Sequence, residues 1–137
     1  MNVWTGGTFD LFHPGHVLLL RECSHHGRVT VAVNTDQFVA RFKDKLPVQN
    51  LQERLTMVEA CRFVDDVQVN HGGDLQAGLI LRARTDMIVI GDDWKDRDYV
   101  GQLGITEDWL KEFRIEVLYV TRDPRWSSSG LKAAVCG

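Results

Sequence analysis

Cysteine is scarce in this chain: Cys23, Cys61 and Cys136 are the only three in 137 residues. Their number is odd and none sits at metal-ligand spacing, so neither a disulfide framework nor a zinc site is expected. Reduced thiols in the cytosol fit better, and a cytoplasmic location is the expectation. Long apolar runs are also missing. None approaches the roughly 20 residues of a membrane span, and the start of the chain lacks the basic region and cleavage site of a signal peptide. A membrane partner is therefore not expected. Nor is there an excess of positive charge, since 16 Lys and Arg against 19 Asp and Glu leave a net charge of −3. No basic stripe with interleaved aromatics appears, which argues against a nucleic-acid partner. Linkers, low-complexity stretches and internal repeats are absent too.

What is present is a pattern of alternation. With 44% hydrophobic residues, the chain is long enough for one domain with a proper core. Strand-like runs at Asn2–Thr5, Val29–Asn34, Asp66–Val69, Asp86–Ile90 and Glu116–Tyr119 alternate with helical patterns at Gly15–Ser24, Leu51–Arg62, Leu75–Arg84 and Glu107–Phe113. Val29-Thr30-Val31-Ala32-Val33 and Met87-Ile88-Val89-Ile90 are almost continuously apolar, as strands covered on both faces are. The fold class predicted is α/β, a single Rossmann-like doubly wound domain over 1–137 with a parallel sheet of about five strands. A ligand crevice then belongs at the carboxyl ends of the strands. Polar residues cluster there: Thr8, His13 and His16 after the first strand; Asn34-Thr35-Asp36 with Arg41, Lys43 and Lys45 after the second; Gly91-Asp92-Asp93-Trp94-Lys95 after the fourth; and Thr121–Ser129 after the last.

The strongest signal is His13-Pro14-Gly15-His16 behind Gly6-Gly7-Thr8-Phe9-Asp10. It reads as a strand, a Gly-rich turn and a helix start carrying two imidazoles. Unpaired N–H groups and the positive dipole end make such a start an anion site, and imidazoles there can donate to a phosphoryl group. The last cluster places Ser127, Ser128 and Ser129 before a second short helical stretch. Serines there are ordinary N-caps, but Arg122 and Arg125 beside them favour a phosphate site.

The run Gly7-Thr8-Phe9-Asp10-Leu11-Phe12-His13-Pro14-Gly15-His16 resembles the HxGH signature of the nucleotidyltransferase superfamily, and the Arg122–Ser129 segment resembles the triphosphate-holding motif of its cytidylyltransferases. There Arg125 stands in place of the family's Gly and Trp126 in place of its Ile. The resemblance spans nearly the whole chain and is nearest to the branch using CTP and glycerol-3-phosphate. It implies direct in-line displacement on the α-phosphate of CTP by a phosphate monoester, giving CDP-glycerol and pyrophosphate. His13, His16, Lys43, Lys45 and Arg122 are the implied catalytic residues. Nucleotide contacts are implied for Thr8, Phe9, Pro14, Gly15, Gly91, Asp92, Asp93, Trp126 and Ser127–Ser129, besides His13, His16, Lys45 and Arg122. Mg²⁺ carried mainly by the nucleotide phosphates and a homodimer are further implications.

Some positions stay open. Lys43 and Lys45 match the flexible lysines that the family extends over its phosphate substrates. Arg54 and Arg62 fit an acceptor site with Lys43, or equally well surface ion pairs with Glu53 and Asp65. Asp10 reads as a structural hydrogen-bonding residue of the turn rather than a metal ligand. His25, His26 and His71 lack ligand partners and read as surface residues; Trp4 and Trp109 read as packing. Members acting on glycerol phosphate carry an aromatic and a lysine between the third strand and its helix. His71-Gly72-Gly73-Asp74 and Gln76 stand there instead, which implies a more open pocket and leaves room for another sugar or polyol phosphate, with ATP or CTP as donor. A regulator that kept the fold and lost turnover is the remaining class; the intact histidines, lysines and Arg122 argue against it.

Overall fold

The computed structural model describes residues 1–92, 99–121, 125 and 127–136. Five parallel strands form one sheet: β1 (Asn2–Gly7), β2 (Arg28–Asn34), β3 (Asp66–Asn70), β4 (Met87–Asp92) and β5 (Glu116–Thr121), in the order β3-β2-β1-β4-β5. The order reverses at the β1/β4 boundary, and such a switch point opens a crevice at the carboxyl ends of the strands.

Helices cover both faces because successive strand residues point to opposite sides. Val3, Val29, Val31, Val33, Met87 and Val89 face one way. They join Leu19, Leu20 and Cys23 of α1 (Pro14–His26) and Val58 of α3 (Leu51–Ala60) in one core. Trp4, Ala32, Ile88 and Ile90 face the other way. They pack with Ile80 of α4 (Leu75–Arg82), Ile105, and Leu110 of α6 (Glu107–Glu112). Six of the seven residues of β2 are buried, as its continuous apolar run predicts. Burial also pushes the Cys23 thiol up to about 12, and Cys23 and Cys61 are unpaired thiols.

Two helices were not legible as such. The segment carrying Arg41 and Lys43, left out of the helical patterns, is α2 (Asp36–Lys43), capped by Thr35, whose Oγ1 accepts from Phe38 N at 3.1 Å. It closes at Asp44 in the left-handed region, φ 57°. Its Arg41 and Lys43 lie in the last turn, where cations suit the dipole. A single turn, α5 (Tyr99–Gln102), follows β4, and the helix after the serine cluster is α7 (Ser128–Cys136). Trp4 is core, as expected, yet its indole Nε1–H also donates to Gln68 at 2.9 Å. Trp109 packs against Phe113 with ring centroids 4.9 Å apart. His25 and His26 are not without a carboxylate: Glu22 lies 3.6 and 3.4 Å away, three and four residues back on α1. Among the described residues no helix is long and apolar enough to cross a membrane.

Leu20 joins α1 to the sheet with no exposed surface. Leu20→Ala is expected to cost about 2–5 kcal/mol through lost burial and the cavity left behind; urea unfolding reads this as a lower midpoint at unchanged slope.

Candidate functional site

The site is built on the turn from β1 into α1. Phe9 and Leu11 hold positive φ of 56° and 48°, a costly conformation for residues with a Cβ. Three tethers fix it. The carboxylate of Asp10 accepts from Val48 N at 2.8 Å and Gln49 N at 2.9 Å, and Leu11 N donates to Gln49 Oε1 at 3.0 Å. Asp10 is thus structural, though its partners lie far along the chain rather than within the turn. Among the described residues no three His, Cys, Asp or Glu side chains are grouped to hold an ion. The Phe9 ring is buried and lies 5.3 Å from the His16 ring, so its side chain supports the histidine rather than lining a nucleotide pocket.

α1 starts with imidazoles in place of the usual hydroxyl or carboxylate caps. His13 is the N-cap, and its Nδ1 accepts from Gly15 N at 3.0 Å. His16 reaches back, its Nδ1 accepting from His13 N at 3.1 Å. The pair reproduces the reciprocal logic of a capping box. Both rings are buried, 6% and 8% exposed, and stack with centroids 3.8 Å apart. Because each Nδ1 is an acceptor, each neutral ring carries its hydrogen on Nε2. Pro14 occupies the first helical position, where a missing N–H costs nothing. An open apolar hollow of about 420 Å³ flanks His13, lined by Phe12, Pro14, Val17 and Leu18. It offers no charge to a phosphate.

Arg54 corrects an expectation. It neither lines an acceptor site nor pairs with Glu53, whose Oε1 caps Asn50 N instead. Its side chain has no exposed surface. Nε donates to Gln49 O at 3.0 Å, Nη1 to Thr8 O at 2.9 Å and Asn34 O at 2.6 Å, and Nη2 to Asp36 Oδ1 at 2.5 Å. One guanidinium thereby ties the ends of β1 and β2 to the starts of α2 and α3. Arg62 stands apart from Arg54. It follows the far end of α3, beside Phe63 (5.1 Å from Cζ to the ring centroid), while Asp65 accepts from Val29 N at the opposite edge of the sheet. The fold of a single chain does not bring Arg62 to the histidines.

The other positions divide as follows. Lys43 and Lys45 are exposed around the end of α2, with Lys43 Nζ 5.7 Å from the Phe42 ring centroid. Ser127 Oγ caps α7 by accepting from Gly130 N at 2.9 Å, and Ser128 Oγ donates to the Asp10 carbonyl. That bond sets the start of α7 beside the start of α1, so two helix N-termini meet at one turn. Gly91 is buried near the end of β4, where Asp92 pairs in register with Thr121. Asp93, Arg122 and Trp126 lie outside the described residues. Of the two glycines that suggested an open pocket, Gly73 has open space where a Cβ would stand, whereas the space over Gly72 is filled. A Cβ there would come within 2.7 Å of the Phe38 ring, and φ of 80° independently demands glycine. Sequence reasoning named Asn34 and Gln76 without a role and missed Asn70; all three amides are buried.

The cytidylyltransferase-like family profile matches residues 4–133. Glycerol-3-phosphate cytidylyltransferase of Bacillus subtilis (strain 168) is 32% identical over 136 residues, covering 98% of this chain and 97% of that protein. Bifunctional protein HldE of Nitrosococcus oceani is 43% identical over 101 residues, which are 72% of this chain and only 21% of HldE. The crystal structure of the lipopolysaccharide core biosynthesis protein from Thermoplasma volcanium GSS1 superposes with a TM-score of 0.70 at 25% identity, over 90% of this chain and 98% of that one. The chain belongs to the cytidylyltransferase-like family of nucleotidyltransferases.

Arg54→Met is expected to lower stability by roughly 3 kcal/mol, since three carbonyls, that of Asn34 buried, and the Asp36 carboxylate lose their donor. Arg54→Lys recovers only part of this, because a point ammonium cannot span four acceptors. Chemical unfolding of both variants checks the order; equal midpoints for Arg54→Met and the parent would contradict it.

Proposed function

We propose that the chain transfers a cytidylyl group from CTP to glycerol-3-phosphate. An oxygen of the acceptor phosphate attacks the α-phosphorus in line, the bond to the β-phosphate oxygen breaks, and CDP-glycerol and pyrophosphate leave. The observation that carries this reading is the double histidine cap, which makes two stacked rings Nε2–H donors at a helix N-terminus. Such donors favour the charge gathering on the α-phosphate in the transition state. Thr8, Lys43, Lys45, Arg122 and the start of α7 hold the remaining phosphate oxygens, which positions the anions against their repulsion. Mg²⁺ brought by the nucleotide phosphates would neutralise part of that charge. A homodimer in the cytoplasm belongs to the same reading. Nearly full-length similarity to the B. subtilis enzyme favours this donor and acceptor over those of proteins matched only in part.

A second reading keeps the mechanism and changes the acceptor to another sugar or polyol phosphate. Gln76 favours it: the side chain is a neutral amide, 2% exposed, and donates to Gly73 O and Gln102 O. It brings no cation to an acceptor phosphate.

Pyrophosphate release with Mg²⁺, crossing CTP and ATP against glycerol-3-phosphate and a panel of sugar, polyol and choline phosphates, separates the two. Turnover with CTP and glycerol-3-phosphate alone is the expected result; CTP turnover with a different acceptor selects the second reading. His16→Ala is expected to lose at least about 100-fold in kcat, and parental activity of that variant would contradict the mechanism.

A further inference from the structure

A row of side-chain amides runs behind the candidate nucleotide turn, across the carboxyl ends of β1, β2 and β3. Asn34 Nδ2 donates to Thr8 Oγ1 at 3.3 Å. Asn70 Nδ2 donates to Asn34 Oδ1 at 3.2 Å and to Gln76 Oε1 at 3.1 Å. Asn70 Oδ1 accepts from Gly72 N at 2.9 Å, and Gln76 Nε2 donates to Gly73 O and Gln102 O at 3.3 and 2.9 Å. Asn34, Asn70 and Gln76 are 7%, 1% and 2% exposed.

The direction of this row is not free. An amide can be turned end for end only if its partners can exchange donor and acceptor roles. A backbone N–H cannot accept, and a backbone carbonyl cannot donate. Gly72 N therefore fixes the oxygen of Asn70, and the carbonyls of Gly73 and Gln102 fix the nitrogen of Gln76. Asn70 then has only its nitrogen to offer Asn34, and Asn34 only its nitrogen to offer Thr8. The Thr8 hydroxyl receives a hydrogen bond from inside the protein and must direct its own hydrogen elsewhere. Among the described residues no acceptor takes it.

We propose that Asn70, acting through Asn34, is a positioning residue that makes the Thr8 hydroxyl an obligate donor to a nucleotide phosphate oxygen. The proposal deepens the nucleotide reading of this turn and rests on it. Chemically, the relay turns an ambivalent hydroxyl into a fixed donor without bringing a charge to the site. A hydroxyl left to choose could donate inward and face the phosphate with its lone pairs, which repels the ligand.

Asn70→Asp tests it. A carboxylate still accepts from Gly72 N but cannot donate. Asn34 then turns its nitrogen to residue 70 and its oxygen to Thr8, whose hydrogen follows inward. With CTP and Mg²⁺ as the probe in titration calorimetry, Asn70→Asp and Thr8→Ala are each expected to weaken binding roughly tenfold. Combined, they should bind no more weakly than Thr8→Ala alone, because the relay acts only through the hydroxyl. Thr8→Ser, which keeps the hydroxyl, should restore binding. Parental affinity of Asn70→Asp, or losses that multiply in the double variant, would overturn the proposal, and multiplying losses are what a merely structural role predicts. If Asn70→Asp fails to fold, Asn34→Asp reverses the same bond and enters the same cycle with Thr8→Ala. A ligand-independent readout separates this from the underlying function. In nucleotide-free protein the Asn34 side-chain amide resonances should shift on Asn70→Asp, and an unshifted signal overturns the relay. Failure of the parent to bind either CTP or ATP would instead overturn the nucleotide reading.

Discussion

Much of this molecule's candidate chemistry follows from one substitution of roles: a helix N-terminus capped by imidazoles rather than by hydroxyls or carboxylates. A serine or aspartate cap satisfies the orphan N–H groups and brings either no further donor of note or a negative charge. Two histidines satisfy the same N–H groups through Nδ1 and carry an N–H on the other side of each ring. One arrangement closes the helix, sets the tautomer and furnishes donors where the dipole already favours an anion. Stacking of the rings on each other, with Phe9 and Phe12 each 5.3 Å from His16, removes their remaining freedom.

That arrangement needs a turn held in a conformation the backbone does not favour, and much of the neighbouring structure serves this end. Asp10 grips the segment before α3. Arg54 draws the carbonyls of Thr8, Asn34 and Gln49 around one buried guanidinium. Ser128 stitches α7 to the same turn from the end of the chain. The residues that looked like ligands by charge and the residues that hold the site by geometry are therefore partly exchanged. Arg54 is scaffolding for the Thr8 backbone, and it is the uncharged Asn34, with Asn70 behind it, that reaches the Thr8 hydroxyl.

The sheet was legible because buried parallel strands are written as unbroken apolar runs, as in Val29–Val33 and Met87–Ile90. The HxGH block was legible because glycine, proline and histidine converge in few residues. α2 was not: it has eight residues, and Phe38, Val39 and Phe42 sit among enough charges to pass for a loop. The histidine caps were hidden by residue type, although the three-residue spacing of His13 and His16 equals that of a capping box. Nothing in the sequence links Asn70 to Asn34 or Gln76 to Gln102, since those partners stand 36 and 26 residues away. Of Gly72-Gly73, only Gly73 faces open space; the side chain that fills the space at Gly72, Phe38, comes from a different helix.

The most direct measurement is the tautomeric state of His13 and His16, read from long-range ¹H–¹⁵N correlations of the imidazole nitrogens near neutral pH. The account predicts Nε2–H on both rings, with the Nε2 signals shifting when CTP and Mg²⁺ are added. A hydrogen on Nδ1 of either ring would contradict it, because the helix cap and the donor to phosphate could not then be the same residue.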